Sequence, residues 1–311
     1  MLERGNQFIE KWMALVTPLC MLVGISFPDV AAHGLPYVTV VFAFITFTGA
    51  LKSEFKDILR VFHDPKPLLC MLVMIHVVIP AAACGAGHLF FGSDPYAITG
   101  MVLEFSVPTA VVGLMWVTIY NGNNPLSLSL VVIDTILSPF LIPVTLRVLV
   151  GSQVEIDATM MMRQLIFMVA LPAIAAMVLN QVTHGAVKNT WPKKLALFSK
   201  FALMFVVTSN SSKVAPYVRH MNLERVAIGA AILVLAAGSY ALGWGVAKVL
   251  RQDKETTISM IYGTGMRNIS AGAVIAGACF PGAVMYPVMI GTLFQQVLAA
   301  FYGKALVSKL G

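Results

Sequence analysis

The sequence predicts an all-α integral membrane protein of about ten transmembrane helices, and three observations carry that prediction. Of its 311 residues, 58% are hydrophobic and 11% charged, whereas a soluble domain carries about 25% charged residues to meet water. Mean hydropathy is +0.84, too apolar for a single soluble core whose outer surface would still need polar cover. Apolar runs close to the ~20 residues that cross a bilayer recur from one end of the chain to the other.

Taken in order, the first span is 9–27. Its lead, Met1–Lys11, mixes Glu3, Arg4, Glu10 and Lys11; a cleaved signal peptide has a cleaner basic start, so this segment reads as a retained helix. Span two, 36–51, is short. Span three, 67–91, carries His76. Span four, 96–120, is interrupted within Glu104-Phe105-Ser106-Val107-Pro108-Thr109, where Pro108 lacks a backbone donor and clashes one turn back. Span five, 125–150, carries Ser127 and Asp134. Spans six, seven and eight are 159–182, 194–212 and 224–250. Span nine, 255–279, is interrupted at Gly263-Thr264-Gly265-Met266-Arg267-Asn268-Ile269-Ser270. Two glycines beside a charge and an amide are foreign to a lipid-facing helix. Span ten is 282–307.

Lys and Arg near span ends set orientation. One side takes Arg4, Lys11, Lys52, Lys56, Arg60, Lys66, Lys188, Lys193, Lys194, Lys248, Arg251, Lys254, Lys304 and Lys309; the other takes Arg147, Lys213, Arg219 and Arg225. The bias places both termini in the cytoplasm and the chain in the cell's inner (plasma) membrane. It also accounts for the net charge of +7 without a nucleic-acid partner, since no basic motif carries interleaved aromatics. Cys20, Cys70, Cys84 and Cys279 lie singly in apolar segments and read as small hydrophobes, with no metal or cofactor spacing. The 18 methionines read as core filling.

The two halves correspond in hydropathy and breaks at an offset of about 158 residues: Pro108 falls opposite Met266, and Pro125 opposite Ala283. His63-Asp64-Pro65, before span three, falls opposite Met221-Asn222-Leu223, before span eight. Five spans per half is an odd number, so the second copy must lie upside down. Inverted repeats with paired broken helices point to a secondary transporter that binds its solute near the midplane. Each break leaves a half-helix, Thr109–Asn121 and Asn268–Phe280, whose free N–H groups attract anions. A proline kink plus a glycine packing contact is the plain alternative for either break alone; two at matching places favour a binding site.

At these residues the chain resembles the bile acid/sodium symporter family and its bacterial members. The likeness runs over nearly the whole chain and is sharpest at Gly265-Met266-Arg267-Asn268, at Asn121-Gly122-Asn123 and at Ser138-Pro139-Phe140-Leu141-Ile142-Pro143. The family typically reads Glu-x-Gly-Met-Gln-Asn, Arg-Gly-Asn and Ser-Pro-Leu-Leu-Thr-Pro there. The resemblance implies a panel domain (1–66 and 153–220; spans 1, 2, 6 and 7) and a core domain (67–152 and 221–311; spans 3–5 and 8–10). Broken helices four and nine would cross in the core, with solute bound between domains and alternating access by their relative motion. Family precedent leans to a monomer.

Departures from the family are as informative. Its sodium-site carboxylate falls at Gly263, its glutamine at Arg267, its Ser-Asn pair at Gly113-Leu114, a threonine at Val131 and a third-helix glutamine at Ile75. Ser127 keeps its oxygen. Hard cations take oxygen ligands, so both sodium sites read as dismantled. Arg267 puts a fixed positive charge beside them, able to hold an anionic substrate bidentately; a purely structural pair is the alternative. An intramembrane arginine needs a partner, with Asp134 expected first and Glu104 second. Thr109, Thr264, Asn268 and Ser270 flank the breaks as candidate solute contacts or helix caps. His76 is a candidate proton carrier or a satisfied core histidine, and Arg163 snorkels.

The expected activity is carriage of a small organic anion without sodium coupling, by uniport, exchange or proton linkage. The alternatives are a sodium-coupled symporter with a degenerate site and a transporter-derived solute sensor. An enzyme is not expected: HExxH, GxSxG and phosphate-loop motifs are absent.

Overall fold

The computed structural model describes residues 15–56, 65–152 and 154–305. The expected start of the first span, the charges Glu3, Arg4, Glu10, Lys11, Arg60 and Lys309, and the residues His63 and Asp64 lie outside the described residues. Every named element is a helix. In chain order these are α1 (Leu15–Ser26), α2 (Pro28–Ala32), a 3-10 turn (Leu35–Tyr37) and α3 (Val38–Ala50). There follow α4 (Pro65–Phe91), α5 (Pro95–Ser106), α6 (Gly113–Ile119), α7 (Asn124–Val150) and α8 (Ala158–Val182). The chain continues through α9 (Ala186–Arg219), α10 (Leu223–Val249), α11 (Lys254–Gly265), α12 (Ile269–Cys279) and α13 (Gly282–Ala305).

Seven helical stretches among the described residues are long and apolar enough to cross a membrane: Pro28–Ala50 and α4, α7, α8, α9, α10 and α13. The predicted span 194–212 is part of the longer α9, which runs 34 residues. Predicted spans four and nine each appear as two shorter helices. At 1.5 Å per residue, α5 with its 12 residues is about 18 Å long, short of a ~30 Å hydrocarbon core.

The elements begin where local chemistry says they should. Asp94, Asn123, Asp157, Asn222 and Asp253 each accept a hydrogen bond from a first-turn N–H of the helix that follows, satisfying donors that have no intrahelical partner. Pro95 and Pro125 sit in the first turn, where a missing donor does no harm. Prolines deeper in helices are accommodated. In α7, Pro139 cannot donate to the Thr135 carbonyl, and Ser138 Oγ donates to it instead at 2.9 Å. In α4 and α8 a π turn (Met74–Val78; Ile166–Ala170) ends two residues before Pro80 and Pro172, so the widened register replaces the bond that the proline removes.

Packing follows from these helices. α10 lies on α11 and α13, α5 on α4, α7 and α13, and α12 on α13, while α3 lies against α8 and α9. Backbones approach closely where a side chain is absent: a Cβ on Gly100 of α5 would meet the Val284 carbonyl of α13 at 2.5 Å. Small residues at such crossings let helices pack in a lipid environment. Buried methionines, among them Met71, Met101, Met161, Met168 and Met260, lie in the main apolar core.

Candidate functional site

α5 ends at Ser106 and α11 at Gly265, each with an extended residue at its C-cap, Val107 and Met266. The chain then runs non-helically to α6 and α12. These two connections pair with each other: Thr109 and Arg267 form an antiparallel bridge, Ala110 N donates to the Met266 carbonyl at 3.1 Å, and Asn268 N donates to the Pro108 carbonyl at 2.8 Å. Backbone groups that helices would have satisfied are thus satisfied by each other. α6 starts at Gly113 rather than at Thr109, because Thr109 and Ala110 are held in this pairing.

Arg267 projects from the junction and is 3% exposed. Among the described residues its Nε, Nη1 and Nη2 have no hydrogen-bond partner. The expected pair with Asp134 does not form. Asp134, 0% exposed, is taken by others: Oδ1 lies 2.7 Å from His76 Nε2, and Oδ2 accepts from Thr109 N at 2.6 Å. Glu104, expected second, is buried with Oε2 unpartnered and lies against α13, where a Cβ on Gly291 would collide with its carboxyl. Both carboxylates act on Arg267 electrostatically without bonding to it.

The remaining predicted site residues divide sharply. Thr109 Oγ1 donates to the carbonyls of Gly263 and Met266. Thr264 Oγ1 donates to Met260 and Ser239 and so ties α11 to α10. Both hydroxyls are spent on backbone. Asn268 caps α12 by accepting from Ala271 N and is half-buried, as is Ser270. His76 sits in the π turn of α4 with Nδ1 buried and unpartnered. Arg163 is exposed near the start of α8.

Ser127 lines a small cavity with Thr109, Gly113, Leu114, Val131 and Gly263. Its volume of about 10 Å³ is close to the room one water needs. Ser127 Oγ has no partner there. A side chain at Gly263 would strike Leu130 Cδ2 at 2.7 Å and Met71 Sδ at 2.9 Å, so apolar groups crowd this position.

Sequence reading missed an aromatic wall beside the junction. Tyr262 stacks with Trp116 and Tyr120 and meets Tyr240 edge-on, and Tyr240 stacks on Tyr302 at 4.8 Å. Tyr262 OH donates to the Ala299 carbonyl and Trp116 Nε1 to Gln296 Oε1. These residues recur along α6, α10, α11 and α13 without a shared period, so no sequence signal groups them. Asn210, buried on α9 with Nδ2 unpartnered, was also missed.

The Sodium Bile acid symporter family description matches residues 39–221. An uncharacterized Bacillus subtilis protein, YbaS, is 39% identical over 297 residues, spanning 94% of this chain and 96% of the relative. YocS, an uncharacterized sodium-dependent transporter of the same bacterium, is 23% identical over 99% of this chain and 96% of its own length. The probable chloroplastic sodium/metabolite cotransporter BASS3 of Arabidopsis thaliana is 22% identical over 96% of this chain and 70% of its own. Apolar helices, paired backbone breaks and these likenesses agree: the chain is a membrane transporter, not an enzyme, and it belongs to the sodium bile acid symporter family.

Proposed function

We propose that the protein carries a small organic anion across the membrane by alternating access and that sodium does not drive the movement. The observation behind this reading is Arg267. A buried guanidinium with no bonded partner costs about 3 kcal/mol at the centre of a membrane helix on insertion scales. A carboxylate that accepts two of its N–H groups removes that cost, and the planar fork matches it bidentately. Asn268 and Ser270, half-buried beside the junction, supply further contacts. Thr109 and Thr264 position the backbone rather than touch the solute.

In this reading the chain holds ten membrane segments in two inverted five-helix repeats. The α5/α6 and α11/α12 pairs are the interrupted fourth and ninth segments, crossing in a core (67–152, 221–311) that moves against a panel (1–66, 153–220). Both termini face the cytoplasm, the protein sits in the plasma membrane, and it acts as a monomer. Gly263, Gly113, Leu114, Val131 and Ile75 offer no side-chain oxygen, and the lone hydroxyl of Ser127 does not make a sodium cage.

The names of YocS and BASS3 favour a second reading, sodium-coupled symport with a degenerate site. Proteoliposomes separate the two. Uptake of labelled pyruvate, lactate, succinate and taurocholate is measured with sodium replaced by potassium. The uncoupled reading expects unchanged uptake of the transported acid and none in Arg267→Ala; a strict sodium requirement, or full activity of that variant, defeats it.

A further inference from the structure

We propose that His76 and Asp134 bind a coupling proton, so that the anion held at Arg267 moves together with H⁺; this rests on the anion-carrier reading above. The pair is fully enclosed. The His76 side chain is 6% exposed and that of Asp134 0%, with Nε2 and Oδ1 2.7 Å apart. Asp134 Oδ2 accepts from Thr109 N. In the proposed arrangement His76 presents Nε2–H to Oδ1 and keeps its lone pair on Nδ1. That nitrogen is buried and unpartnered, a vacant acceptor, whereas most buried polar groups are hydrogen-bonded. A proton arriving from water adds to Nδ1 and makes an imidazolium already paired with Asp134; on the opposite side of the membrane the same proton leaves Nδ1 for water.

Charge balance links the two sites. On the elements packed against its turn, the carboxylates are Asp134 of α7, bonded to His76, and the buried Glu104 of α5, which lies against α13; both act on Arg267. Other charges of α4 and α7, such as Lys66, His88 and Arg147, are exposed. Arg267 and Asp134 cancel. An entering carboxylate adds one negative charge, which a site at bilayer depth holds only at high cost; one proton on His76 restores the balance whatever the state of Glu104. The link is also mechanical. Thr109 donates its N–H to Asp134 and is the bridge partner of Arg267, so a single residue joins the proton site to the anion site. His76 lies at the centre of a π turn, a feature frequent at functional sites.

The test uses the full chain in sodium-free proteoliposomes with a pH-sensitive dye trapped inside and the same labelled acids outside. Wild-type uptake should acidify the lumen beyond protein-free liposomes, by about one proton per monocarboxylate from the charge balance. An imposed inward proton gradient should raise initial uptake several-fold. His76→Gln should lose both effects. Uptake without matching proton entry in the wild type overturns the proposal while leaving the anion carrier intact, and needs no variant to fold. Gradient stimulation that survives in His76→Gln overturns it as well. Uptake of none of the acids removes the anion reading and the proton site with it.

Discussion

Arg267 is defined by what its guanidinium does not touch. Three buried nitrogens without partners stand one residue from a backbone network in which nearly every group is paired. If recognition is bidentate, Arg267→Lys keeps the charge and loses the fork; labelled-acid uptake should fall at least tenfold at the ~1.4 kcal/mol that one lost charge-assisted bond represents. Gly263 makes the complementary point. Introducing a carboxylate with Gly263→Glu drives the new side chain into Leu130 and Met71, and overpacking of this kind costs about 1–3 kcal/mol. Detergent melting curves should show that loss, with no sodium-dependent recovery of stability; stabilisation by sodium would mean that the new carboxylate binds the cation.

The helices begin and bend by local rules, which makes their effects separable from transport. Asp253 caps α11 through Thr256 N at 2.7 Å, so Asp253→Ala should lower stability by about 0.5–2 kcal/mol while Asp253→Asn stays close to wild type in the same denaturation series. Ser138→Ala strands the Thr135 carbonyl beneath Pro139 and should cost about 1–3 kcal/mol. The Asn121-Gly122-Asn123 turn shows why its residues are what they are. Asn121 is left-handed at φ 57, a region asparagine tolerates. A Cβ on Gly122 would meet Ile258 and Val117 at 2.8 Å. Asn123 N donates to the Glu255 carbonyl and its own carbonyl accepts from Ser259 Oγ. The turn therefore docks α6 and α7 onto the start of α11.

For the molecule as a whole, one contact between the segment after α3 and α9 responds to pH in a definite direction. Glu54, after α3, accepts from Lys188 of α9 at 2.5 Å and pairs with Lys56. Hydrogen bonding to Lys188, then to Lys56, holds its carboxyl below the ordinary value. A depressed carboxyl contributes stability that is present above its unfolded pKa and is lost as pH falls through the folded one. Glu54→Gln should therefore lose a small increment of stability at neutral pH, converge on the wild type in acid, and so show a flatter acid side of the stability-against-pH curve. A variant as acid-sensitive as the wild type would show that this contact does not matter.

Much of this protein was legible in the sequence because the bilayer imposes one-dimensional rules. Lipid demands long apolar runs, prolines and glycines mark where helices stop, and Asp or Asn ahead of a run caps the next helix; each signal lies within a few residues of its effect. The family likeness was visible on the same terms. What could not be read was which groups the fold would bring together. Asp134 was the obvious partner for Arg267 by charge, yet tertiary geometry gave its two oxygens to His76, 58 residues away, and to a backbone N–H at Thr109. The hydroxyls of Thr109 and Thr264, open to a solute or a helix cap by sequence, are spent on carbonyls, and the tyrosine wall was scattered over four helices. Hydrogen-bond partners are assigned by three-dimensional proximity, and a side chain with two candidate partners of like chemistry chooses by distance, which composition and spacing do not encode.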